Sequence, residues 1–228
     1  MYGIDIYFII LVVPTMILSM VAQILVKSTF SKYSKIKCSK NISGQNAALL
    51  LLRENSINDV SIEPVHGSLT DHYDPNAKKL RLSEPVYNEP SIAAVGVAAH
   101  ETGHAIQHAK HYGPLVLRST LVPVANIGSR FGPLMAIIGI AVSIPLLTNI
   151  GILVFAGAVA FYLVTLPVEF NASARALAIL RKGNVLSAQE LTGVKKVLTA
   201  AALTYVASAL TAVMSLLRLL LIARGRRR

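Results

Sequence analysis

The chain has 228 residues, 54% of them hydrophobic and only 14% charged, with a formal net charge of +11. A soluble globular protein carries about 25% charged residues, so this composition argues against an ordinary soluble domain and for a membrane protein. The positive charge would suit nucleic acid in a soluble protein, but no basic–aromatic interleaving or nucleic-acid motif is present. Lys and Arg instead flank long apolar runs, as in the cytoplasmic loops of membrane proteins. The expected partner is therefore a lipid bilayer and not nucleic acid.

Residues 1–26 read as an N-terminal transmembrane anchor. Ile6 to Val26 carries no charge, and Pro14 lies within it. The preceding flank ends in Asp5, and the following one carries Lys27, Lys32, Lys35, Lys37 and Lys40. A secretory signal has the opposite polarity and a small-residue cleavage site. The expectation is a retained anchor with its N-terminus outside and its basic end inside. Residues 27–41 are expected to lie over anionic headgroups. The single cysteine, Cys38, falls here and has neither a disulfide partner nor metal-type spacing. Residues 43–57 predict a short amphipathic helix with Ser43 as N-cap.

The pattern changes over residues 58–83. DVSIEPV alternates apolar and polar residues, and LRLS is a second short strand. Between them Gly67, Asp74, Pro75 and Asn76 are turn formers. This predicts a β-hairpin or small sheet, with the 78–83 strand as an edge to which an extended substrate can add. Pro90 and Ser91 then open a helix over 91–110.

That helix contains His100-Glu101-Thr102-Gly103-His104. Residues four apart share a helix face, so His100 and His104 can reach one metal ion, with Glu101 placed as a general base. A polar helix face with two satisfied histidines is the bland alternative. The helix is followed by His108, Lys110 and His111, which suits a cytoplasmic domain over 27–130 better than a span.

Residues 112–130 are apolar but interrupted by Pro114, Arg118, Pro123 and Arg130, and read as an interfacial or partly buried helix. Phe131 to Val168 carries no charge. As one helix it would be about 57 Å long, roughly twice the hydrocarbon thickness. A transmembrane hairpin over 131–168 fits, with its turn at Pro145, Asn149 and Gly151. Residues 169–196 are then cytoplasmic, with a turn at Lys182-Gly183-Asn184 and a capping box formed by Ser187 and Glu190. Residues 197–228 are the last transmembrane helix and a basic tail. A full crossing puts that tail outside, against the positive-inside rule. Either the tail is an exception or the last segment does not cross simply.

A catalytic zinc needs three protein ligands and an open position. The metzincin spacing requires His at position 110, which is Lys110. His108 continues the stripe but lies about 12 Å along the axis from His100, so His108 and His111 read as surface or second-site residues. Between Glu101 and Glu190 the one acid is Glu169. It comes where the hairpin returns, which makes it the third ligand of a His-His-Glu set. An interfacial anchor is its alternative role. Ser173, one turn beyond, can hydrogen-bond to a ligand.

LTDHYDP, LRLSEPVY, GVAAHETGHAIQH, LVPVANIGS and LPVEFNAS, in that order, resemble the YugP-like neutral zinc metallopeptidases of bacterial membranes. More distantly the chain is similar to HtpX-like and CAAX-processing membrane proteases, which carry Asp where this chain has Ser173. The resemblance implies Zn2+, a site facing the cytoplasm at the bacterial plasma membrane, and hydrolysis of peptide bonds in peptides or membrane proteins. The expected fold is mainly α, with about four transmembrane helices and a small cytoplasmic α+β zincin-like (gluzincin) domain. His72 and Tyr73, in the polar turn, are candidates to stabilise the oxyanion. The competing expectation is a non-catalytic membrane scaffold or metal-handling protein using His100, His104, His108 and His111.

Overall fold

The computed structural model describes residues 5–225. After a π-helical turn at Phe8–Val12 the elements are α1 (Val13–Ser34), α2 (Gly44–Glu54), β1 (Ser61–Val65), β2 (His72–Asp74), β3 (Lys79–Ser83), α3 (Glu84–Tyr87), α4 (Ile92–Ala109), α5 (Gly113–Ala141), α6 (Pro145–Lys182) and α7 (Ala188–Gly225). The chain is mainly helical, with one small sheet. It divides into two compact units.

One unit comprises the chain up to Gln23, Val116–Pro167 and the chain from Leu203. Its segments belong to four helices that are long and apolar enough to cross a membrane. Large apolar side chains face outward, Leu153 and Leu146 being 72% and 70% exposed, as a lipid solvent permits. Small residues bring backbones together, the usual packing device where no hydrophobic drive exists between helices. A Cβ on Gly132 would stand 2.7 Å from that of Phe155.

The arms of the hairpin differ from expectation. α5 begins at Gly113 and runs unbroken to Ala141 with Pro123 and Pro133 inside it, so 112–130 is not a separate helix. An internal proline removes one backbone donor, a loss that apolar membrane-type helices tolerate. The turn falls at 142–144, with Ser143 at φ 59°. Pro145 starts α6 rather than breaking a helix, because its fixed φ suits the first helical position. α7 is also unbroken, and Arg218 Nε donates to Asp5 Oδ2 at 2.6 Å. The N-terminal end of the first helix and the C-terminal end of α7 therefore lie at the same end of this unit. Ser19 and Thr211 hydroxyls, 3.3 Å apart, join the same two helices farther along.

The other unit comprises Ile24–Leu115 and Val168–Ala202. α1 continues through the expected juxtamembrane stretch to Ser34. The chain then pairs with the start of α4, Cys38 N donating to Pro90 O and Ile92 N to Ile36 O, each at 2.9 Å. The Cys38 side chain is buried. Ser43 caps α2 by accepting from Asn46 N, and Ser91 caps α4 by accepting from Ala94 N. Ser187 and Glu190 form the capping box of α7, with Ser187 N to Glu190 Oε2 at 2.7 Å.

The sheet order is β1-β3-β2, with β1 parallel and β2 antiparallel to β3. The strand at 79–83 is thus the middle strand, and the expected exposed edge there is corrected. The hairpin joins β2 to β3 through an Asx turn, in which Asp74 Oδ1 accepts from Asn76 N and Ala77 N at 3.0 Å. Leu80 and Leu82 of β3 are fully buried against Leu52, Val86 and the alanine-rich face of α4. That small-residue face (Ala93, Ala94, Ala98, Ala99) allows neighbouring elements to close in on α4, which becomes the centre of the unit.

Candidate metal centre

α4 carries His100 and His104 one turn apart, with ring centroids 4.8 Å apart and the rings nearly perpendicular. α6 supplies Glu169. Its Oε2 lies 3.2 Å from His100 Nε2 and 3.6 Å from His104 Nε2. The ligand atoms of the three residues all fall within 4.8 Å of one another. Glu169 is 2% exposed, in an otherwise apolar stretch of helix. A buried carboxylate is costly unless compensated, and two imidazoles compensate this one.

The far nitrogen of each imidazole is also engaged. His104 Nδ1 lies 2.9 Å from Gln107 Oε1, and His100 Nδ1 lies 3.2 Å from Ser173 Oγ. A metal-binding histidine needs this arrangement, because the bond at one nitrogen sets the tautomer and aims the other. With Nδ1 held, both Nε2 atoms turn toward Glu169. Two imidazole nitrogens and one carboxylate oxygen are a donor set suited to zinc, so the residues fit such an ion.

Gln107 is fully buried and anchors a longer chain of bonds. Its amide nitrogen donates to Val168 O at 2.8 Å and to Asn171 Oδ1 at 3.0 Å. Asn171 Oδ1 also accepts from Arg175 Nε at 2.7 Å, and the Arg175 guanidinium lies 5.9 Å from the centre of the Tyr112 ring. Arg175 thus extends the chain of bonds that runs from His104 through Gln107 and Asn171.

Glu101 is 7% exposed. Burial opposes a positive His104, but the hydrogen bond it donates to Glu169 and the charges of Glu101 and Glu169 outweigh it and hold the imidazole above its ordinary pKa. Asp71, just before β2, accepts from Ser83 N at 2.7 Å and from Ser83 Oγ. Burial, joined by repulsion from Glu101, pushes its carboxyl up against the opposing pull of those bonds.

His72 and Tyr73 occupy β2. His72 is exposed, its Nδ1 2.9 Å from Thr70 O and its Nε2 3.3 Å from Arg81. Tyr73 Oη lies 2.8 Å from His108 Nδ1. His108 and His111 line a cavity of about 300 Å³ with Asp59, Tyr73 and Lys78. The histidine stripe therefore separates: its first two members meet Glu169 and its last two open on that cavity.

Gln107, Asn171 and Asp71 escape the sequence reading. A glutamine three residues after the second histidine, within an apolar helix, is the available signal for the first. The other two lie within LTDHYDP and LPVEFNAS, but nothing in those stretches marks their distant partners.

Residues 8–224 match the sequence pattern of the family described as "Putative neutral zinc metallopeptidase". The chain belongs to this family. It is 49% identical over 215 residues to the "Putative membrane protease YugP" of Bacillus subtilis (strain 168), covering 94% of this chain and 96% of that one. No solved structure matches the chain. Within the zinc metallopeptidase family the match spans both the apolar helices and the unit that bears His100, His104 and Glu169.

Proposed function

We propose that the chain is an integral-membrane zinc peptidase of the gluzincin type that cleaves peptide bonds of proteins or peptides at the cytoplasmic face of a bacterial plasma membrane. The observation that carries this reading is the convergence of His100 Nε2 and His104 Nε2 on buried Glu169, with both Nδ1 atoms held from behind. His100, His104 and Glu169 would hold the zinc, which when bound supplies a Lewis acid that lowers the pKa of water and polarises a carbonyl. Glu101 takes the proton of the attacking water and delivers it to the leaving amine. Burial of Glu101 limits competing bulk water. β2 packs beside α4; for His72 or Tyr73 to donate to the oxyanion, its side chain must leave the partner it has here, Thr70 O for His72 and His108 for Tyr73. The concentration of Lys and Arg in the segments around 27–130 and 169–196 supports the cytoplasmic side.

The test is Glu101→Gln in full-length protein reconstituted into vesicles with an unfolded protein substrate. Zinc per chain should equal that of the wild type, while hydrolysis falls by roughly 10²–10⁴-fold. Hydrolysis at the wild-type rate with zinc retained would overturn the mechanism.

A further inference from the structure

A second cleft, of about 520 Å³, opens on the same unit away from the metal centre. Lys32 of α1, Lys37 and Lys196 of α7 line it, over a floor of Tyr33, Ile92 and Gly193. The floor is tight, because a Cβ on Gly193 would stand 2.8 Å from the Tyr33 ring. Each of the three lysines is exposed. Among the described ion pairs none involves them. The one carboxylate in the lining, Glu190, is already committed: it accepts from Ser39 N at 2.6 Å, from Ser39 Oγ and from Ser187 N. The cleft thus presents three ammonium groups against one carboxylate whose hydrogen-bonding positions are already taken, a net positive site.

The position of these lysines in the sequence selects the anion. Lys196 immediately precedes the uncharged run Val197–Leu217, and Lys32 follows the uncharged run Ile6–Val26 by six residues, about 9 Å of helix. Headgroups extend roughly 5–8 Å beyond each side of the hydrocarbon. Leu25, two helical turns before Lys32 and on its face, is 40% exposed, and Ile24 beside it is 62% exposed. An apolar surface therefore adjoins the cationic one on a single helix. We propose that this cleft binds the phosphodiester of an anionic phospholipid, with the lysines on the headgroup and the acyl chains along the exposed face of α1. A zwitterionic lipid brings its own cation and gains less from a cleft of net positive charge. Free phosphate makes no use of Leu25 and Ile24.

Native mass spectrometry of the full-length protein in nonionic detergent tests this. The protein is titrated with phosphatidylglycerol or with phosphatidylcholine of the same acyl chains. Wild type should retain phosphatidylglycerol about tenfold or more in preference to phosphatidylcholine, in line with the attraction per basic residue near an anionic surface. The triple variant Lys32→Gln, Lys37→Gln, Lys196→Gln should lose that preference. The corresponding Lys→Arg triple should keep it, and so should a double variant with Lys78→Gln in the turn before β3 and Lys79→Gln at its start. Unchanged thermal unfolding and zinc content establish that each variant is folded. No preference in the wild type, an undiminished preference in the Gln triple, or displacement of the lipid by millimolar inorganic phosphate would each overturn the proposal.

Discussion

Gly103 and Ala172 are in backbone contact: a Cβ on Gly103 would stand 2.7 Å from the carbonyl oxygen of Ala172. Gly103 lies between His100 and His104, and Ala172 lies one turn beyond Glu169. The bare α-carbon sets the distance at which α6 presents its carboxylate to α4. Gly103→Ala should gain about 1 kcal/mol of helix propensity yet destabilise the protein by a net ~1–3 kcal/mol through overpacking against backbone. Zinc affinity should fall as Glu169 is pushed away. Chemical unfolding and competition with a chelator read the two effects. A variant with unchanged affinity would show that Glu169 does not depend on this approach.

Gln107 holds His104 from behind and ties it to α6 through Val168 and Asn171. Gln107→Leu keeps a side chain of similar size but frees the His104 tautomer and strips a donor from the buried Val168 carbonyl. Loss of an outer partner of this kind costs about 10–100-fold in metal affinity; the Val168 carbonyl keeps its place in the helix, so the stability cost is that of the lost hydrogen bonds, ~0.5–1.5 kcal/mol each. Gln107→Glu, which can still accept from a protonated His104 Nδ1, should lose less affinity than Gln107→Leu. Equal affinity in all three proteins would mean that His104 is oriented by something else.

These residues mark how far the sequence could be read. The helix that bears His100 and His104, its Ser91 cap and the Ser187–Glu190 box are local patterns of side chain and spacing, and their local signals are sufficient. Glu169 stood out because acids are scarce in the apolar half of the chain. Its setting did not: it lies inside α6 rather than at a helix start, since the helix continues far beyond the uncharged run. β2 has three polar or aromatic residues, too few for alternation to register, so the sheet was read as a hairpin of the wrong two strands. Pro123 looked like a break in α5 because a soluble helix rarely tolerates one there. Asp71 and Asn171 act through partners distant in sequence, and no local pattern carries that information.

Tyr73 gives an alkaline test of the β2–α4 contact. Burial, with Asp59 and Asp74 nearby, pushes its phenol up to about 12. The folded value lies above the unfolded one of about 10, so its contribution to stability is complete below pH ~10 and is lost as pH rises toward about 12. In a spectrophotometric titration, phenolate absorbance should show a late step from one tyrosine. Tyr73→Phe should remove that late step and leave the earlier ones. Should the variant instead lose absorbance only near the ordinary tyrosine range, Tyr73 is not packed against His108 as the structure shows.

Removing the metal should reverse the sign of the pH dependence around neutrality. In the metal-free centre the carboxylates of Glu169 and Glu101 raise the His104 pKa despite burial. The folded value therefore exceeds the unfolded value of about 6.5. This contribution to stability is complete below pH ~6.5 and fades as pH rises through the folded value. Metal-free protein should gain stability as pH is lowered from 8 toward about 6. Metal-loaded protein should lose it over the same interval, because the ligating imidazoles must be neutral and protons compete for them. His104→Gln should flatten both trends. Thermal unfolding across that interval, with and without chelator, measures the two slopes, and parallel slopes would show that His104 is not where proton and metal compete.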